Sequence, residues 1–530
     1  MSGKLLNVTA LGVALGGNTL LKDVTFELDS GEILGLVGAS GSGKSMTALA
    51  LMQLLPPGAQ LAGKVALRDE ILTGKGAEAM RAFRGRDIGM VFQEPMSALN
   101  PLMPIGEQIA ETVRLHREVS RKEAFALARE ALDAVGLTGE SGSFERYPYQ
   151  LSGGQRQRVA IAIAIVLSPA LLIADEPTTA LDVIAQAQVL ALLKELARAR
   201  RMGLILITHD LAVIAAVADR VAVMQAGTIV ESGYSAALLR NPVHPYTRSL
   251  LAAARMPRKS TFKRPSAAVV ETRGIVKEYR RARRSLWRAP QAVRAVDGVS
   301  LTVHAGETVG LVGESGSGKS SLLRVILALQ RAQQGEVRLL DEHFPASDGL
   351  KLRRQRRAIQ VVFQDPVSSF DPRWNVERIV AEPFHLLDTP PSPAESRRLV
   401  AEALEQVGLS AADSTRLPHE FSGGQRQRIA IARALISKPA VIALDEAVSA
   451  LDVLVRQQIL KLLAELAERA KLAFLFVTHD LHVVRSIADR VYVMQKGRIV
   501  EEGQTERLFG SPQHEYTRAL IAATPVLPAD

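Results

Sequence analysis

The clearest regularity along the chain is a set of short apolar runs, each stopped by a distinctive polar residue. Ile33-Leu-Gly-Leu-Val37 runs into a glycine-rich stretch, and Ile88-Gly-Met-Val-Phe-Gln93 ends in glutamine. Leu171-Leu-Ile-Ala-Asp-Glu176 ends in two acids, and Leu204-Ile-Leu-Ile-Thr-His209 in histidine. Runs of this length with such boundaries read as strands buried on both faces. Longer stretches of helical character separate them. Strands alternating with helices predict an α/β fold, with a parallel sheet covered on both faces. Ligands then gather at the carboxyl ends of the strands.

The whole series returns once. Val309-Gly-Leu-Val312, Ile359 to Gln364, Val441 to Glu446 and Phe474 to His479 repeat it in the same order. Lys44 and Lys319 lie 275 residues apart, Gln93 and Gln364 271, and Ser152 and Ser422, Glu176 and Glu446, and His209 and His479 each 270. One domain has been duplicated, with small changes of loop length early on. The first copy is expected over 1–252, a basic linker over 253–268 and the second copy over 269–530. Each copy opens with strand signals, Val24–Leu28 and Val299–Val303, and each carries a mostly helical stretch, about 103–150 and about 376–420.

Length agrees, since 530 residues are too many for one hydrophobic core. The absence of cysteine excludes disulfides, thiolate zinc sites and cysteine-ligated iron–sulfur clusters, and points to a reducing cytoplasm. Leu5–Leu15 looks like a signal-peptide core, but its removal would delete the opening strands of the first domain. Val159–Ala174 carries no charge, yet it is short for a membrane span and contains Pro169. It reads as a buried helix running into a buried strand. Between Arg255 and Arg294, 13 Lys or Arg face two acids, so this segment accounts for the net charge of +10 and the remainder is near neutral. That localisation suggests a solvated linker, or more weakly a contact to anionic lipid headgroups, and no nucleic-acid partner is expected.

The chemistry starts at Gly38-Ala-Ser-Gly-Ser-Gly-Lys-Ser45 and Gly313-Glu-Ser-Gly-Ser-Gly-Lys-Ser320, which fit the phosphate-loop pattern. Gly38, Ser40, Gly41, Ser42, Gly43 and Met46, with Gly313, Ser315, Gly316, Ser317, Gly318 and Ser321, would present backbone N–H groups to phosphates. Lys44 and Lys319 reach the outer phosphates, while Ser45 and Ser320 suit Mg²⁺. Asp175 and Asp445, at the ends of buried strands, suit Mg²⁺ through water. Glu176 and Glu446 suit polarisation of an attacking water. His209 and His479 are placed to contact a γ-phosphate, and Gln93 and Gln364 to contact Mg²⁺ or water. Ser152-Gly153-Gly154-Gln155 and Ser422-Gly423-Gly424-Gln425 open helices and form a second anion-binding device. A single domain has no customer for that second device. Two copies facing head to tail would, because each loop would complete the other copy's nucleotide site.

This combination of phosphate loop, Gln loop, Leu-Ser-Gly-Gly-Gln, Asp-Glu strand, Ala-Leu-Asp (180–182 and 450–452) and histidine resembles the tandem ATPases of ABC transporters over nearly the whole chain. The resemblance implies two tandem P-loop nucleotide-binding domains, each with a helical subdomain, that use ATP and Mg²⁺ and close around ATP. It also implies that the Ala-Leu-Asp segments lie at the domain interface. Phe92-Gln-Glu-Pro-Met-Ser-Ala-Leu-Asn-Pro101, Phe363-Gln-Asp-Pro-Val-Ser-Ser-Phe-Asp-Pro372, Asn241-Pro-Val-His-Pro-Tyr-Thr247 and Ser511-Pro-Gln-His-Glu-Tyr-Thr517 are similar to segments of peptide and nickel importers. Fusion of both ATPases in one chain resembles the Yej-type peptide and microcin C importers, with glutathione importers second. A soluble tandem ABC protein acting on ribosomes is the alternative of another class. The importer resemblance implies two transmembrane permease subunits, a separate solute-binding protein and a place on the cytoplasmic face of the inner membrane. Three departures stand out. Tyr279 matches the aromatic residue that stacks on adenine in the family, whereas the first copy has Leu15. Ala447 stands where the first copy has Pro177, which leaves the aim of Glu446 open. Ile163 stands where the second copy has Arg433.

Overall fold

The computed structural model describes residues 4–93, 98–139, 143–179, 181–255, 267–280, 292–449 and 451–527. The chain divides into two compact units, one holding essentially the residues up to Arg255 and the other most of the remainder. In the first, the apolar runs form one sheet in the order Thr228–Tyr234, Arg220–Gln225, Ile33–Val37, Gly203–Thr208, Leu171–Asp175, Ile88–Val91. Neighbours are parallel except the outer pair, which closes as an antiparallel hairpin. The second unit repeats this arrangement from Ile359–Val362 to Arg498–Gln504.

The two faces of each strand enter two different cores, as a period of two requires. In the first unit Leu172, Ala174, Leu204 and Leu206 pack with Ile109, Ala128, Ile161, Leu193 and Ile214, which come from five helices. Leu171, Ile173, Ile205 and Ile207 pack instead with Ala48 and Leu51 of the helix Lys44–Leu51 and with Leu6, Val8 and Leu21. Those last residues belong to a separate antiparallel sheet, Asn18–Leu28, Leu6–Leu15, Gln60–Leu67 and Glu70–Ile71. Both faces are thus covered, one by helices and the other by one helix and a second sheet. Leu6–Leu15 opens with alternating buried and exposed positions, the signature of a strand with one wet face. The uncharged run Val159–Ala174 is a helix, Gly153–Ile165, leading into the strand Leu171–Asp175, as expected.

Some expectations need correction. The strands before the glutamines stop at Val91 and Val362, opposite Ala174 and Leu444, so Gln93 and Gln364 stand two residues beyond the ladder. The basic run is only partly a linker. Ala268–Arg280 pairs with Ala292–His304 in an antiparallel sheet, where Arg273 meets Glu271 at 2.8 Å and Arg294 meets Glu278 at 3.0 Å. Helix Pro245–Ala254 also runs two residues past the expected boundary. Residues 256–266 of the linker, 281–291 of the basic run, 94–97 of the first Gln loop, Ala180 and Ala450 lie outside the described residues.

Helix Leu211–Val217 lies against the central strand at Gly35. A Cβ there would come within 2.5 Å of Ile214 Cδ1 and 3.2 Å of Ala218 Cβ. Gly35→Val should therefore overpack this layer and destabilise the first unit by about 1–3 kcal/mol. Denaturant unfolding of the full chain, with loss confined to one of two transitions, measures it.

Candidate functional site

Each phosphate loop turns from its strand into a helix through a left-handed glycine. Gly43 (φ 104°) and Gly318 (φ 109°) are the N-caps of Lys44–Leu51 and Lys319–Ile326. Gly38 is needed for a second reason, because a Cβ there would sit 2.2 Å from Met224 O. Lys44 is only 6% exposed and folds back onto its own loop. Its Nζ donates to Gly38 O and Ala39 O, both at 2.8 Å. Lys319 donates to Gly313 O at 2.7 Å and Glu314 O at 2.8 Å. Burial pushes the Lys44 pKa down, against the pull of Glu176 and Asp175. Each loop thus holds an ammonium group among inward-facing carbonyls, a charge poised to move to an anion.

Asp175 lies on the strand face that meets the phosphate-loop helix, in the same alternation as Leu171 and Ile173. Its Oδ1 accepts from Ser45 Oγ at 3.2 Å. Burial raises the Asp175 pKa and the Ser45 bond opposes it. A hydroxyl and a carboxylate in contact form a hard-oxygen pair of the kind that takes Mg²⁺ with phosphates completing the shell. Ser320 and Asp445 are not so joined, although burial raises the Asp445 pKa as well.

Glu176 (φ 45°) and Glu446 (φ 48°) adopt left-handed backbone, a costly choice for glutamate. Their N–H groups donate to Ile207 O at 2.9 Å and Val477 O at 2.8 Å, which holds the chain in that turn. Ala447 therefore leaves the backbone aim of Glu446 the same as that of Glu176. The side chains differ more. Glu176 Oε1 lies 3.2 Å from His209 Nδ1, while Oε2 accepts from Gln93 Nε2 at 3.1 Å and Thr179 Oγ1 at 3.0 Å. Among the described residues the Glu446 carboxylate keeps the histidine alone, with His479 Nδ1 at 3.1 Å. Ser449, the counterpart of Thr179, donates to the Glu446 carbonyl instead, and Gln364 makes no bond to Glu446. Thr179 is a site residue that the motif reading missed. Its signal was a hydroxyl three residues after the glutamate in both copies.

The signature segments sit elsewhere in each unit. Ser152 and Ser422 cap the helices Gly153–Ile165 and Gly423–Leu435, and each is locked with Gln155 or Gln425 in a reciprocal capping pair. Gly153 and Gly423 are exposed at these helix starts. Both helices belong to the core on the sheet face away from the phosphate-loop helix. One unit therefore does not bring its own signature and phosphate loop into one cradle. Arg433 ties the second signature helix to the Gln-loop segment, with bonds to Ser369 O at 2.9 Å and Ser369 Oγ at 3.0 Å. Ile163 packs against the apolar core in its place. Tyr279 donates to Gln330 Oε1 at 2.6 Å and lies 3.3 Å from Ser321 Oγ, beside the phosphate-loop helix. Leu15 and Met46 offer only alkyl and thioether surface at the matching places. Asp182 caps the helix Val183–Ala199.

The profile described as ABC transporter matches residues 21–179 and 296–449. That described as oligopeptide/dipeptide transporter, C-terminal region, matches 230–273 and 500–530. Glutathione import ATP-binding protein GsiA of Salmonella choleraesuis (strain SC-B67) is 44% identical, covering 99% of this chain and 90% of that protein. The protein of the same name from Escherichia coli (strain K12) is 45% identical with the same coverage.

Burial by itself raises the Glu176 pKa, but the hydrogen bonds from His209 and Thr179, with nearby positive charge, outweigh it and hold the pKa below its ordinary value. A carboxyl with a depressed folded pKa adds stability above its unfolded pKa and loses it as pH falls through the folded one. The stability gap between wild type and Glu176→Gln should be widest near neutrality and close below about pH 4. Denaturant titrations across that range measure it; a constant gap would mean the fold does not favour the charged carboxylate.

Proposed function

The chain belongs to the ABC transporter family, in its peptide-importer branch, and it hydrolyses ATP; from that membership we propose that it energises import through two composite ATP sites. One site uses Lys44, Asp175 and Glu176 with Ser422 and Gly424. The other uses Lys319, Asp445 and Glu446 with Ser152 and Gly154. The observation that carries this reading is the position of each signature helix, on the sheet face away from its own phosphate loop. A signature with no phosphate in its own unit is useful only to the other copy.

In each site the incoming triphosphate draws the lysine off its loop carbonyls and accepts from the loop amide N–H groups. Ser45 with Asp175, and Ser320 with Asp445, would hold Mg²⁺, which supplies charge neutralisation at the transferring phosphoryl group. Glu176 takes the proton of the water that attacks the γ-phosphorus as the bond to ADP breaks. His209 orients that carboxylate through Nδ1. Gln93 donates to Glu176 through Nε2, and its carbonyl oxygen would meet Mg²⁺ or water. Removing a general base costs typically 10²–10⁴-fold in rate. Glu176→Gln and Glu446→Gln should each slow turnover of the assembled transporter by about that range at its own site. Single-turnover hydrolysis by each variant measures it, and full activity in either one would remove that glutamate from the chemistry.

Among the described residues no helix is long and apolar enough to cross a membrane. Permease subunits would therefore supply the path, with a separate binding protein selecting the solute. Docking would use the helical stretches after Gln93 and Gln364, since a Gln loop touches the site at one end and a helical lobe at the other. Short peptides are the solute class, and the names of the relatives put the tripeptide glutathione first within it. The test is the ATPase rate of the reconstituted complex with its binding protein. Stimulation by glutathione or by other short peptides assigns the solute. ATP-dependent ribosome binding with no membrane partner would overturn the importer reading.

A further inference from the structure

We propose that Tyr246 and Tyr516 position the phosphate loop of their own domain and thereby set how tightly the triphosphate is held. The inference rests on the phosphate-loop reading above and gives a task to the His-Pro-Tyr-Thr and His-Glu-Tyr-Thr segments, which that reading leaves idle. The Tyr246 hydroxyl accepts from Ala39 N–H at 2.9 Å, and the Tyr516 hydroxyl accepts from Glu314 N–H at 2.8 Å. The residues contacted have unrelated side chains, and in both copies the tyrosine accepts from a backbone N–H of the loop. The contact falls on the same peptide in both copies, one residue past the first glycine.

Ala39 is held through both of its backbone groups. Ala39 O accepts from Lys44 Nζ at 2.8 Å and from Ser42 N at 3.2 Å. Farther along, Gly227 N donates to Ser42 O at 2.9 Å. When a triphosphate takes Lys44 away, the entry to the loop keeps only its internal turn and the tyrosine. The tyrosine bond therefore bears more of the loop's positioning once a triphosphate is bound. Pre-organising the loop amides in this way reduces the ordering cost of binding. Burial pushes the Tyr246 phenol above its ordinary value, so a neutral hydroxyl is the acceptor.

A dedicated arm delivers each tyrosine. Glu231, on the outer strand, accepts from Val243 N at 2.8 Å and His244 N at 3.1 Å. His244 Nδ1 then accepts from Tyr246 N at 3.2 Å and caps the helix Pro245–Ala254. Glu501 does the same for Gln513 N at 2.8 Å and His514 N at 3.0 Å, and His514 for Tyr516 N at 3.1 Å. The strand, the acid, the histidine cap and the tyrosine are kept as a unit in both copies, although the residues around them differ.

The test titrates a non-hydrolysable ATP analogue with Mg²⁺ into the full chain. Lys319→Ala confines binding to the first loop, where Tyr246→Phe should weaken it about fivefold, the factor that one hydrogen bond of ~1 kcal/mol gives. Tyr516→Phe should do the same in the Lys44→Ala background. In the assembled transporter the KM for ATP should rise while kcat at saturating ATP is kept. Unchanged affinity in both variants overturns the proposal, and so does a lower melting temperature with affinity intact, which would make the tyrosine a packing residue only. If the two lysine changes together left binding whole, the phosphate-loop reading would fail and this proposal with it.

Discussion

The backbone bond from Glu176 N–H to Ile207 O is small, but the arrangement of the candidate site in the first unit depends on it. It continues the parallel ladder one residue beyond Asp175 while the chain turns through a left-handed conformation. The strand's alternation sends Asp175 toward the phosphate-loop helix. The turn sends Glu176 toward His209, which stands just past the end of the neighbouring strand. Two adjacent acids thereby acquire different partners and opposite pKa shifts. Buried carboxylates this close are tolerated only because each is answered by its own donor.

The same geometry explains why the site needs a parallel sheet. Strands that all point one way deliver their C-terminal residues to one edge, so the phosphate loop, Asp-Glu and histidine meet without long connections. The face that carries the phosphate-loop helix is closed by an antiparallel sheet, and the opposite face by the helical lobe that carries the signature helix. This division leaves the phosphate-loop helix and the signature helix of the unit on separate cores. The duplication repeats this division in the second unit.

The two copies are alike in backbone and unlike in side-chain support. Among the described residues the Glu176 carboxylate has three side-chain partners and that of Glu446 one, Ser45 meets Asp175 while Ser320 does not meet Asp445, and Tyr279 lies beside the second phosphate-loop helix where the first copy has Leu15. Pro177→Ala in passing from first copy to second changes none of the backbone bonds. Arg433 shows the opposite case, where one changed residue adds a tie between signature helix and Gln loop that Ile163 cannot make. A duplicated fold can keep its geometry while the chemistry at its two ends drifts.

Order, repetition and local chemistry were legible in the amino-acid sequence. Apolar runs ending in Gln, Asp-Glu and His announced the parallel strands, because burial on both faces demands unbroken apolar residues. Gly38 to Ser45 announced the phosphate loop, because only glycine takes the backbone of Gly43. The second, antiparallel sheet was not foreseen as a layer, since alternating short strands do not say which face they will cover. Nor were the contacts of Glu176 with His209 and Gln93, the strand character of Ala268–Arg280 amid basic residues, or the reach of Tyr246 back to Ala39. Those are pairings between residues up to about 200 positions apart. Local periodicity and spacing carry no record of such distances; only the packed layers bring the partners together.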